Sequence, residues 1–187
     1  MNLYLPMDNE TGGLPDEVSL LSTYLEVVDD SLEVIDSIEL FVKPNNGLYV
    51  VEAGGLAVNK IDLVEHDKIA ITYSEAGQKL FRFLQKNSRD GEIKLIPVGK
   101  QVHFDVAGLQ RNLLGKKTMD KFVSYRLIDI TGIALGLQIK GKLPKTLGLS
   151  LGSLVEYFNI YVYGQQHEAK YDTKATMLVF KKLLELM

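Results

Sequence analysis

The sequence predicts a mixed α/β fold, a sheet with helices on both of its sides. Two observations carry this. The first third of the chain reads as three consecutive strands joined by short turns, which makes them antiparallel neighbours. The rest alternates helical periodicity with short apolar strands, the pattern of a sheet covered by helices. At 187 residues the chain suits one domain, 1–187, long enough to bury a full core.

In order, Leu3–Met7 is a short apolar strand, and Val18–Val28 is apolar and rich in β-formers. Asp29-Asp30-Ser31 is a turn signal. Val34–Lys43 continues as a strand until Pro44-Asn45-Asn46-Gly47 stops it. Ala57–His66 is a helix candidate. Tyr73–Lys86 is another, with Leu80, Phe83 and Leu84 on one face and Ser74 as the cap. Ile93–Val98 is a fourth strand, closed by Gly99. Helical pattern follows over Phe104–Leu114, a fifth strand over Ser124–Ile130, then helices over Ile133–Ile139, Leu151–Asn159 and Glu168–Leu186. In the last, Ala169, Ala175, Met177, Leu178, Leu183 and Leu184 offer apolar surface. No internal repeat or low-complexity segment interrupts the chain.

Composition narrows the function classes. The hydrophobic fraction is 46% and the charged fraction 24%, ordinary for a soluble globular protein. There is no cysteine, so disulfides and thiolate metal sites are excluded, which suits a reducing, cytoplasmic setting. No apolar run approaches the roughly 18 residues of a membrane span, and no signal peptide is visible, so no membrane partner is expected. The formal net charge of −3 is unlike that of a protein wrapping long nucleic acid. Contacts to phosphate would be few, or metal ions would supply the positive charge.

The chemistry concentrates where the first strand ends, in Leu3-Tyr4-Leu5-Pro6-Met7-Asp8-Asn9-Glu10-Thr11-Gly12-Gly13-Leu14. Side chains of a strand repeat with period two, so Asp8 and Glu10 share a face. Two carboxylates so close repel unless a cation lies between them. Hard divalent cations take such oxygen ligands, and Mg²⁺ in particular combines one or two carboxylates with substrate phosphates. Gly12 and Gly13 allow a sharp turn and a close approach of substrate to the backbone. Asp105 stands just past the fourth strand, where sites of open α/β sheets gather. Near the C-terminus His167 precedes Asp172 by five residues, about 500° of helix, so the two do not share a helical face. His167 then belongs to a loop and Asp172 to the helix behind it.

Together, Asp-x-Glu-Thr-x-Gly-Leu at a strand end, Phe-Asp after a Gly-ended strand and His-x-Ala-x-x-Asp near the C-terminus resemble the DEDDh 3′–5′ exonucleases. That family includes the proofreading epsilon subunit of DNA polymerase III, RNase T and oligoribonuclease. The resemblance runs from Asp8 to Asp172 with the motifs in order. It implies an RNase H-like fold, a five-stranded mixed sheet whose second strand is antiparallel to the others. It implies that Asp8, Glu10, Asp105 and Asp172 bind two divalent metal ions, Mg²⁺ or Mn²⁺, and that His167 is the general base. Imidazole, with an ordinary pKa of about 6.5, suits proton abstraction near neutral pH. Thr11 and Leu14 are the substrate-binding candidates, the turn contacting the terminal ribose and Leu14 wedging beside the last base. The expected substrate is the 3′ end of single-stranded or frayed DNA or RNA, and the product nucleoside 5′-monophosphates. Oligoribonuclease-like relatives are dimers and epsilon-like ones bind a polymerase, so both a homodimer and a replication partner stay open. The chain departs from the family pattern at Lys100-Gln101, where His-Asn is common, and at Gly12, where a second Thr is common.

Other residues receive plainer readings. His66 is expected at the surface or a helix end, and His103 in packing or solvent. Asp129 is expected to cap the next helix. Lys140, Lys142 and Lys145 read as a solvated loop, with guidance of a nucleic-acid backbone as the alternative, and Tyr157, Tyr161 and Tyr163 as core and surface packing, with a place beside the substrate as the alternative for one of them. Two alternatives compete with the exonuclease: an inactive scaffold of the same fold, and a small-substrate metal phosphoesterase. A scaffold would normally have lost a carboxylate or the histidine, and the ordered motifs disfavour another fold.

Overall fold

The computed structural model describes residues 2–13 and 17–187. Among these residues the sheet has six strands: β1 (Leu3–Thr11), β2 (Leu20–Val28), β3 (Val34–Lys43), β4 (Ile71–Thr72), β5 (Leu95–Gly99) and β6 (Ile128–Asp129). Their spatial order is β4-β3-β2-β1-β5-β6. β2 pairs antiparallel with β1 and with β3, and every other pairing is parallel. The second strand thus runs against the rest, as expected of an RNase H-like sheet. The sheet is one strand wider than expected, because Ile71–Thr72 joins the edge beside Val42 and Lys43. Two residues are too few to show a period-two pattern. The last strand contracts from Ser124–Ile130 to Ile128–Asp129. Before it, the Ser124 amide still donates to the Leu95 carbonyl of β5, but the Arg126 amide donates to Ser124 Oγ and Tyr125 lies open to solvent, so the chain turns between Ser124 and Ile128.

β1 explains the division of the core. Leu3, Leu5 and Met7 enter one apolar cluster with Leu80, Phe83, Leu84 and Leu109. Tyr4, one residue out of phase, packs against the opposite cluster, built around Ile130, Leu137, Leu154, Val179, Phe180 and Leu183. Burying each large apolar side chain contributes about 1.5–3 kcal/mol, so the alternation specifies register strongly. Asp8 and Glu10 have the parity of Tyr4 and emerge on the second face. β2 lies between β1 and β3 and is buried along its full length.

The helices are α1 (Ala53–Asn59), α2 (Leu63–Ile69), α3 (Tyr73–Asn87), α4 (His103–Asn112), α5 (Lys116–Met119), α6 (Ile130–Ile139), α7 (Leu151–Tyr157) and α8 (Ala169–Glu185). The single helix expected over Ala57–His66 is two. Lys60 is left-handed at φ 58°, and the Asp62 side chain accepts from the Val64 and Glu65 amides to start α2. Thr72, not Ser74, caps α3, in a reciprocal capping box with Glu75. In α8, Leu178 and Leu184 face outward. Ala169, Ala175, Met177 and Leu183 are buried as expected, joined by Thr173, Thr176, Val179 and Phe180.

Two side-chain expectations are corrected. His66 does stand in the last turn of α2, but buried instead of at the surface, with Nε2 donating to the Val42 carbonyl at 3.0 Å and the edges of Phe41 and Tyr49 beside its ring. The short α2 folds back on β3 and carries it inward. Tyr161 and Tyr163, read as packing residues, are 84% and 91% exposed. Asp129 does cap α6, its Oδ1 accepting from the Thr131 amide at 2.8 Å. His103 opens α4 exposed, its ring tilted against that of Phe104 at 4.1 Å between centroids. Among the described residues, no helix is long and apolar enough to cross a membrane.

Candidate active site

β1 delivers Asp8 and Glu10 to one face two residues apart, opposite Tyr24 and Ser22 of β2. The first turn of α8 brings Asp172 against them. One carboxylate oxygen from each of Asp8, Glu10 and Asp172 lies within 4.8 Å of the others. Asp105, in the first turn of α4, is held from β1: the Asn9 amide donates to its Oδ1 at 3.0 Å and Asn9 Nδ2 to its carbonyl at 2.9 Å. It lies outside the tight trio, yet its charge acts on both Asp8 and Glu10. His167 precedes α8 in a loop, left-handed at φ 69°, with Nδ1 3.9 Å from Asp172 Oδ2. Residues 96 and 164 positions apart in sequence therefore meet at one end of the sheet.

Electrostatics identify what the cluster can hold. Burial, then the carboxylates of Asp172 and Asp105, pushes Glu10 up to about 8. Burial pushes Asp105 up to about 8, against the pull of the Asn9 amide and the Lys100 ammonium. Asp8 is held well above the usual carboxylate range, by burial first and then by Asp105, Glu10 and Asp172. Asp172 is raised by burial, with His167 drawing it the other way. Its Oδ1 is buried and meets no hydrogen-bond partner. Four acids raised together, one with an orphaned oxygen, fit a cation-binding centre of hard oxygen ligands.

Thr11 ends β1, its Oγ1 donating to the Gly13 carbonyl at 2.7 Å and its carbonyl accepting from Asn59 Nδ2 at 2.9 Å. Leu14 lies outside the described residues. The glycines before it pack closely against the chain itself. A Cβ on Gly12 would stand 2.8 Å from the Val50 carbonyl oxygen, and one on Gly13 2.5 Å from the Glu52 carboxylate. Beside the acids, Glu10, Thr23, Phe41, Asn59, His66 and His167 line part of a pocket of about 430 Å³.

The residues that sequence reasoning missed are supports. Asn9 was hidden between two acids, and only its odd parity within β1 pointed it at α4. Lys170 ties the start of α8 to β3 through Glu39 at 2.9 Å, and its ammonium stands 5.5 Å from the centre of the Tyr24 ring. No local signal links residues so far apart.

Fold and site together define an RNase H-like protein with an acidic centre able to hold a cation. The chain is 26% identical to ribonuclease T of Pectobacterium atrosepticum over 188 residues, covering 95% of this chain and 79% of that protein. It is 26% identical to ribonuclease T of Escherichia coli strain K12 over 152 residues, covering 79% of this chain and 64% of that one. A zinc-bound complex of E. coli exonuclease I with single-stranded DNA shares the fold at a TM-score of 0.77 and 17% identity, over 98% of this chain and 40% of that chain. This chain therefore spans about two fifths of exonuclease I. No family model matches the sequence. These similarities support the resemblance of the chain to the DEDDh 3′–5′ exonucleases.

Proposed function

We propose that this chain removes nucleotides one at a time from the 3′ end of single-stranded or frayed DNA or RNA, releasing nucleoside 5′-monophosphates. The observation that supports it most is the convergence of Asp8, Glu10 and Asp172 within 4.8 Å, with a partnerless Asp172 oxygen and His167 alongside. Asp8, Glu10 and Asp172 would hold one divalent cation, and Asp8 with Asp105 a second. Bound there, Mg²⁺ or Mn²⁺ supplies Lewis acidity toward the phosphodiester and its leaving oxygen. His167 takes the proton of the attacking water, and Asp172 orients the imidazole and stabilises its charged form. Loss of such a base costs about 10²–10⁴-fold in rate.

The pocket beside Glu10 and His167 has the scale of a single small-ligand site. This favours a footprint of a few nucleotides, with Thr11 and Leu14 at the terminal residue. The relatives' names divide between RNA and DNA: ribonuclease T on one side, exonuclease I bound to single-stranded DNA on the other. Short single-stranded DNA and RNA, each labelled at the 5′ end, decide the matter in Mn²⁺ or Mg²⁺. The expected result is a ladder shortening from the 3′ end, abolished by EDTA and by Asp8→Ala. Cleavage of neither polymer by a chain that still binds Mn²⁺ would move the reading to a small-substrate phosphoesterase.

A further inference from the structure

We propose that Lys100 is the receptor for the scissile phosphate, its ammonium meeting a non-bridging oxygen of the phosphodiester at the acidic centre. The proposal rests on the exonuclease reading above and adds a substrate-binding residue to it. The geometry comes from the sheet. β5 runs parallel to β1 with Val98 opposite Pro6. Asp8 follows Pro6 by two residues within β1, and Lys100 follows Val98 by two, one residue past the end of β5, so the backbone carries both to the same end of the sheet. Gly99 makes the approach close: a Cβ there would lie 2.7 Å from Val102 Cβ and 3.2 Å from the Met7 carbonyl oxygen.

Lys100 is half-buried, and among the described residues it forms no direct ion pair. Its charge still reaches Asp8, Asp105 and Asp172 and draws each carboxyl down. The ammonium therefore stands in the field of the cluster without being consumed by one partner. Two divalent cations neutralise four carboxylates. Lys100 then leaves one positive charge at the centre, matching the single negative charge of a phosphodiester. Glu168 also acts on Glu10 and Asp172, but it is exposed and water screens it. A lysine ammonium is a compact point charge with three donors, suited to a phosphate oxygen.

Lys100 has opposite effects on the two kinds of ligand: it repels divalent cations and attracts phosphate. Calorimetric titration with Mn²⁺, and cleavage kinetics on 5′-labelled short oligonucleotides, read both. Lys100→Gln should bind Mn²⁺ more tightly and raise KM, each by on the order of tenfold, with a weaker salt dependence of KM. Lys100→Arg should restore KM. Lys182→Gln makes the same change of net charge about ten residues, or roughly 15 Å, along α8 from Asp172, and should change neither. Weaker Mn²⁺ binding by Lys100→Gln would show a structural role and overturn the proposal, and an unchanged KM would overturn it equally. A wild-type chain that cuts neither polymer sinks the exonuclease reading. Lys100 is then judged by calorimetric binding of adenosine 5′-monophosphate in Mn²⁺: a loss of affinity in Lys100→Gln supports the receptor, and equal affinity overturns it.

Discussion

Asn9 holds Asp105 by two hydrogen bonds, from its backbone amide to Oδ1 at 3.0 Å and from Nδ2 to the Asp105 carbonyl at 2.9 Å. The strand that presents Asp8 and Glu10 on one face thus uses the residue between them to anchor a third acid on the other. Asn9→Ala removes the side-chain bond and keeps the backbone one. Stability should fall by about 1 kcal/mol. Divalent-cation affinity should fall as well, because Asp105 loses half of its anchoring. Urea denaturation and Mn²⁺ calorimetry on the same protein measure both, and unchanged cation affinity would separate Asp105 from the centre.

His167 is left-handed, so its replacement must respect the backbone as well as the chemistry. His167→Asn suits that conformation, since Asn tolerates it better than most residues. The expected loss of kcat is about 10²–10⁴-fold with Mn²⁺ affinity retained. Full activity in this variant at neutral pH would exclude His167 as the base.

The raised acids give the cation-free protein a distinctive pH dependence. Glu10 and Asp105 stand at about 8 when folded, above ordinary carboxylate values near 4. The folded state therefore binds more protons than the unfolded state across that interval. The stability these groups contribute is fully present below pH 4 and is lost as pH rises through 8. In EDTA, Tm should fall from pH 5 to pH 8. Saturating Mn²⁺ should remove most of that fall, and Asp8→Asn should raise the Tm of the cation-free protein at pH 8. A Tm in EDTA that rises over this range would contradict the crowding of these acids.

Gly55 of α1 presses on the turn after β1. A Cβ there would lie 2.5 Å from the Gly12 carbonyl oxygen and 2.6 Å from Gly13 Cα, both backbone atoms with little freedom to yield. Gly55→Ala should destabilise the chain by about 1–3 kcal/mol. It should also raise KM more than it lowers kcat, because the displaced turn follows Thr11 and not the acids. Steady-state kinetics with short oligonucleotides distinguish the two effects.

Much of the fold was legible from local pattern. Apolar, β-rich runs marked β1, β2 and β3, and the turn residues between them implied antiparallel pairing. The two-residue β4 escaped and β6 was drawn too long, because the pairing of such short edge strands depends on neighbours. Lys60, left-handed between α1 and α2, gave no warning, since lysine is not a residue that signals such a break. His66 was misread for a related reason. Its burial follows from α2 folding over β3, and no feature of Asp62–Ile69 specifies that contact.

The sequence by itself determined the chemistry on offer: four carboxylates and a histidine at strand and helix ends, with no thiol able to compete for a metal. Period two put Asp8 and Glu10 on one face, and five residues of helix kept His167 and Asp172 off a common one. Only the tertiary structure decided that α8 crosses β1 so that Asp172 completes the trio, that Asn9 binds Asp105, and that the parallel pairing of β5 carries Lys100 beside Asp8. Local propensity acts over a few residues. These contacts join residues 92 to 164 positions apart, and they form because both faces of β1 must be buried by helices.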